Sequence, residues 1–143
     1  MFNARNFFNY ISYLQYPLMV AGLIYSFMPF LNGFESVWEY YNNTLIFMGV
    51  GISLSTLQDT TKMQNELSRK VWENPKSGKL FLGIISASAL LMILVGFYGL
   101  YSAEDTVLEE LSLGVLVLGI GLIGLLKSAI ELFENHRLDK KEV

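Results

Sequence analysis

Cysteine is absent from the chain and histidine occurs once, at position 136. Without thiols there is no disulfide framework, no thiolate metal site and no cysteine nucleophile. One histidine in a charged tail leaves neither a histidine-rich metal centre nor a Ser-His-Asp triad within reach of a single chain. Charge is the second scarcity: Asp, Glu, Lys and Arg make up 16% of the 143 residues, against about 25% in a soluble domain. The tail HRLDKKEV is basic enough to touch anionic lipid but too short for a nucleic-acid surface. No catalytic, cofactor-binding or metal-binding set emerges, and an enzyme is not expected. Intramembrane hydrolysis needs a nucleophile with a base or a metal, and apart from His136 the bases are rim carboxylates and tail charges.

Apolar residues, at 52%, take the place of the missing charge. Uncharged runs cover 6–34, 40–58, 80–103 and 111–126. A bilayer core about 30 Å thick needs about 20 predominantly apolar residues per helix. The runs predict an all-α integral membrane protein, one domain, built as a bundle of four transmembrane helices near 9–30, 41–60, 79–101 and 107–128. Arg5 could flank a signal peptide, but no small-x-small cleavage site follows the first run, so the segment is read as retained.

The sign of the scarce charge is unevenly placed. All ten basic residues lie in the 59–79 connection or near the termini (Arg5, Lys62, Arg69, Lys70, Lys76, Lys79, Lys127, Arg137, Lys140, Lys141). The positive-inside rule makes that side cytoplasmic, with both termini, in a cell membrane. The opposite loops hold acids alone: Glu35, Glu39, Glu104, Asp105, Glu109 and Glu110. They form a candidate acidic mouth for cations, or are what remains when bases are excluded and helix starts are capped. Asn42-Asn43-Thr44 matches a glycosylation acceptor on that side.

Glycines interrupt the last apolar run, where GIGLIG at 119–124 spells the dinucleotide fingerprint. Its context excludes a nucleotide: the glycines lie inside a sixteen-residue uncharged stretch, Leu111 to Leu126, where a phosphate would have to be desolvated in an apolar segment. In lipid, small residues let helix backbones approach. Gly114, Gly121, Gly124 and Ser128 fall within about 80° on the helix wheel, while Gly119 points roughly 140° to 160° away and is expected to matter less. Gly49 with Ser53, Gly51 with Ser55 and Gly83 with Ala87 give similar faces on the second and third helices. GVG at 49–51 matches GIG at 119–121, but the other two helices do not support a tandem repeat.

Beyond Gln58, Met63, Leu67 and Val71 recur every four residues until Asn74-Pro75. The second helix is therefore expected to run on to Glu73, about 50 Å in all, and the fourth to continue past Leu132. Met63, Leu67 and Val71 on one extension and Ile130 and Phe133 on the other would form a cytoplasmic partner stripe, with Leu67 close to Phe133. The alternative is a surface-lying segment with Trp72 dipping into lipid. Ser12, Gln15, Ser53, Ser55, Thr56, Ser86, Ser88 and Ser128 form a polar layer towards the basic side, read as interhelical hydrogen bonds or a pocket beside Pro17. The expected function is non-enzymatic: an accessory or scaffolding subunit or a homo-oligomer, with the bilayer and a protein or self-partner as its contacts. A small cation or apolar-solute channel or transporter is the alternative.

Overall fold

The computed structural model describes residues 4–61, 66–102 and 107–140, and every regular element among them is helical. Helices α1 (Ala4–Ser12), α2 (Gln15–Asn32), α3 (Val37–Ser55), α4 (Glu66–Glu73), α5 (Pro75–Ser102) and α6 (Val107–His136) precede a short 3-10 turn at Leu138–Lys140. Among the described residues three segments are long and apolar enough to cross a membrane: Asn6–Asn32, Pro75–Tyr101 and Val107–His136. Helix α3 is less apolar because its first turns carry Trp38, Glu39, Asn42 and Asn43. Large apolar side chains remain exposed around the molecule, Leu31 at 79% and Tyr101 at 84% among them. Exposed apolar surface on that scale suits lipid rather than water.

Helix breaks follow from local chemistry. Pro17 has no N–H to give the Tyr13 carbonyl, so that carbonyl accepts from Tyr16 N–H instead (3.2 Å), and α1 and α2 separate at Tyr13 and Leu14. Helix α3 stops at Ser55, where the expected continuation to Glu73 fails. Its last turn tightens to i→i−3 bonds, Thr56 N–H to Ser53 O and Leu57 N–H to Leu54 O. The hydroxyls of Ser55 and Thr56 bond back to Ile52 and Ser53 carbonyls, and Asp59 Oδ1 accepts the Thr61 N–H in a local turn. Such side-chain bonds compete with helix propagation. Helix α4 is a separate element that packs on α5 and α6. Helix α6, in contrast, runs unbroken to His136 over 30 residues, about 45 Å.

The long helices lie in the order α2, α3, α6, α5, so α3 and α6 each have a neighbour on both sides. Helices α2 and α3 are antiparallel, with Gly22 against Met48 and Gly51 against Met19. Helices α5 and α6 are antiparallel too, with Gly99 against Ser112, Gly96 against Leu116 and Gly78 under the Phe133 ring. Between the hairpins α3 and α6 run parallel, pairing Asn42 with Gly114, Gly49 with Gly121 and Thr56 with Ser128. Every step along this central pairing is seven residues. A seven-residue interval keeps one face on its partner when helices cross left-handed at about +20°.

This order explains GVG and GIG. Residues two apart on a helix point about 200° apart, so one glycine can serve each side. Gly49 faces α6 and Gly51 faces α2; Gly121 faces α3 and Gly119 faces α5. The expectation that Gly119 matters less is thereby corrected. A Cβ there would stand 2.9 Å from Ile93 Cγ1 and 3.2 Å from Ile93 N, while one on Gly121 would stand 2.5 Å from the Gly49 carbonyl oxygen. Gly119→Leu and Gly121→Leu are expected to be comparably damaging, each exceeding the about 1–3 kcal/mol typical of overpacking. Gly83→Leu, with nothing within 4 Å of a built Cβ, is expected to leave stability unchanged or raise it by up to about 1 kcal/mol. Thermal unfolding of the three variants in mild detergent measures the difference.

Candidate functional site

The α3–α6 seam is held by backbone contact at its middle and by one hydrogen bond near each end. At one end the Gly114 N–H donates to Asn42 Oδ1 at 2.7 Å. At the other, Ser128 Oγ donates to the Thr56 carbonyl at 3.0 Å. Thr56 ends α3, so Ser128 satisfies a carbonyl that lacks an intrahelical donor. Of the small residues singled out from sequence, the structure gathers Gly49, Gly114, Gly121, Gly124 and Ser128 here, Gly124 lying against the Thr56 side chain. Ser53 turns its hydroxyl to the Gly49 carbonyl of its own helix (3.0 Å). Gly83 and Ala87 are exposed on α5, and a Cβ built on Gly83 has no atom of the described residues within 4 Å. Asn42, missed as a seam residue, accepts the Gly114 N–H at its carboxamide oxygen. The seven-residue series Asn42, Gly49 and Thr56 was the available signal.

At the acidic end Glu35, Ser36, Glu39, Asn42 and Glu110 line a cavity of ≈ 330 Å³. Glu109 is exposed and does not line it, and Glu104 and Asp105 lie outside the described residues. Among the described residues no group of three or more acidic or histidine side chains is placed to hold a metal ion.

The basic end carries a second cavity, of ≈ 390 Å³, where α6 passes beyond the end of α3 beside the start of α2. Gln15, Ser55, Thr56 and Ser128 line it, together with Asp59 from the turn after α3 and Met19 from α2. Most hydroxyls of the polar layer make neither interhelical bonds nor free pocket groups. Ser12, Ser53, Ser55 and Thr56 bond carbonyls of their own helix or its last turn, whereas Ser128 crosses to a neighbour.

Below the cavity Trp72, 6% exposed, packs with Ile85, Ala129 and Phe133, and its ring meets Phe81 edge-on at 5.6 Å. Trp72 is therefore enclosed by protein rather than set into lipid. Val71 joins this cluster beside Phe133, whereas Ile130 is 45% exposed and turned away. Met63 and the Leu67 side chain, with the expected approach of Leu67 to Phe133, lie outside the described residues. Arg137 closes the end of α6, 5.3 Å over the Phe133 ring, with Nε on Asp139 and Nη1 on Glu134, both at 2.9 Å. The Asp139 hydrogen bond raises the Arg137 pKa above its ordinary value; desolvation partly opposes it, and the charges of Asp139 and Glu134 add smaller upward contributions.

Two variants separate the seam from the cluster. Ser128→Ala is expected to lose about 0.6 kcal/mol, the average for a hydrogen bond between membrane helices. Trp72→Ala leaves a void and is expected to lose about 3–5 kcal/mol. Denaturation in mild detergent checks that order. No protein-family model, curated protein or solved structure matches this chain.

Proposed function

We propose that the chain is a non-enzymatic multi-pass protein of the cell membrane that acts through helix packing, as an accessory or scaffolding subunit of a membrane complex or as a homo-oligomer. One observation carries this reading. Gly83 is the one glycine within a helix that has nothing within 4 Å of a built Cβ, and Ala87, one turn on, is exposed beside it. Every other helix glycine meets a neighbour. A mid-helix glycine disfavours the helix by about 1 kcal/mol relative to alanine. On α5 no intramolecular contact offsets that cost, and a helix from another subunit would.

Orientation enters the same reading. Arg69, Lys70, Lys76, Lys79, Lys127 and Arg137 sit on α4, the start of α5 and the end of α6, which meet at one end of the molecule. The positive-inside rule supports placing that end, the continuation of α6 and both termini in the cytoplasm, with α3 as the fourth span.

A small cation or apolar-solute channel or transporter is the second reading, favoured by the acidic cavity at one end and the polar cavity at the other. Between them α3 meets α6 backbone to backbone at Gly49 and Gly121. That contact leaves no route along the seam and counts against a standing pore.

The packing reading is tested with the chain extracted in mild detergent at native abundance. Wild type is expected in a species larger than its 16.2 kDa monomer. A Gly83→Leu, Ala87→Leu double variant is expected to fold equally well and to weaken that association about tenfold, roughly 1.4 kcal/mol. A lone wild-type monomer, with no crosslinked partner in the membrane, rejects the proposal. Liposome cation flux that falls in a Glu35→Gln, Glu110→Gln variant would transfer support to the second reading.

A further inference from the structure

The bases at the basic end divide into two sets. Arg69 pairs with Glu73 at 3.5 Å, Lys127 with Glu131 at 3.7 Å, and Arg137 with Glu134 and Asp139. Lys70, Lys76 and Lys79 have no carboxylate of the described residues within 4.0 Å. Lys76 and Lys79 are both exposed in the first two turns of α5, and its first turn holds no acid. A helix start is the positive end of its dipole, where a cation is disfavoured. Two lysines stand there without a described carboxylate to compensate them. Depth adds a second constraint. The apolar segment Pro75–Tyr101 has 27 residues, about 40 Å of helix, against a hydrocarbon core about 30 Å thick. About one turn then extends past the core at each end. At the basic end that turn carries Lys76, with Lys79 at the boundary. Lys76, Leu80 and Ile84 follow at four-residue spacing along one side of the helix, and Leu80 and Ile84 are 68% and 54% exposed.

We propose that an anionic phospholipid seats at the start of α5, its phosphodiester between the Lys76 and Lys79 ammonium groups and an acyl chain along Leu80 and Ile84. Residues three apart on a helix are neighbours, about 5–6 Å between Cβ atoms, so one phosphate can meet both ammonium groups. Lysines at the membrane surface attract anionic lipid, and their apolar stems lie along apolar surface while the charged heads stay in the polar layer. A free anion would satisfy the lysines and leave Leu80 and Ile84 bare, whereas a phospholipid covers both. The proposal rests on the membrane placement of the chain and not on the Gly83 and Ala87 packing face, which the lipid flanks, so the packing reading and this one can fail separately.

The test is native mass spectrometry of the full chain in mild detergent, titrated with phosphatidylglycerol or with phosphatidylcholine of identical acyl chains. Wild type is expected to retain phosphatidylglycerol about tenfold more tightly, a difference of roughly 1.4 kcal/mol, and the preference is expected to shrink as salt is raised. The Lys76→Gln, Lys79→Gln variant is expected to lower it to about twofold or less. Lys76→Arg, Lys79→Arg is expected to keep it, and Lys127→Gln, which removes a lysine already paired with Glu131, to leave it unchanged. Equal retention of both lipids overturns the proposal, as does a preference that survives in the glutamine pair. Displacement of the lipid by glycerol phosphate at equal concentration would assign a free-anion site and overturn it too. Retention of neither lipid would reject the membrane placement as well. A photo-crosslinking residue in place of Leu80 leaves both lysines intact and gives a second readout in vesicles mixed from the two lipids. Preferential capture of phosphatidylglycerol is expected, and capture in proportion to the mixture, or of a protein chain instead, overturns the proposal.

Discussion

The backbone contact between α3 and α6 at Gly49 and Gly121 positions every other helix. Helices surrounded by lipid gain no hydrophobic force from meeting, so close packing and hydrogen bonds must hold them. With a Cβ at Gly121 only 2.5 Å from the Gly49 carbonyl oxygen, no residue larger than glycine fits without displacing backbone. The approach alone would allow the helices to slide. Asn42 on Gly114 and Ser128 on Thr56, each seven residues from the contact, fix the register from both ends. The second glycine of each pair, Gly51 and Gly119, then seats α2 and α5 on the far sides. Two GxG triplets thus account for the order of all four long helices.

Much of this was legible in the sequence, and the failures share one physical cause. Apolar runs mark the helices because lipid penalises charge wherever it falls, and no tertiary information is needed to see it. Which face packs is another matter. Reading small residues by helix face found Gly114, Gly121, Gly124 and Ser128, but small-residue spacing also selected Gly83, where a built Cβ has no described atom within 4 Å, and the exposed Ala87. It set Gly119 aside because a single-partner wheel has one useful face, whereas a helix inside a row has two. The seven-residue series Asn42, Gly49, Thr56 mixes an amide, a glycine and a hydroxyl, so a search for small side chains passes over it.

The end of α3 was misread for a related reason. Met63, Leu67 and Val71 have helical spacing, and that spacing describes what a segment would bury if it were a helix. It says little about whether the preceding SLSTLQDTT continues one. There the hydroxyls of Ser55 and Thr56 and the Asp59 carboxylate offer the backbone local partners, and the helix loses to them. The segment that resumes at Glu66 folds against α5 and α6 instead of projecting, and Trp72 becomes part of an interior cluster.

Two chain breaks define the cavity that holds Gln15. Pro17 severs α1 from α2, so Gln15 opens a helix rather than sitting within one. The hydroxyl-rich end of α3 stops that helix one turn beyond Gly51, which packs against Met19 and the Gln15 backbone. Helix α6 continues past both, and its Leu125, Ser128 and Leu132 form the remaining wall. The opening therefore lies where the glycine-driven packing ends: the seam closes the middle of the molecule, and beyond it Ser128 on α6 reaches the last carbonyl of α3 while Gln15, at the start of α2, lines the cavity.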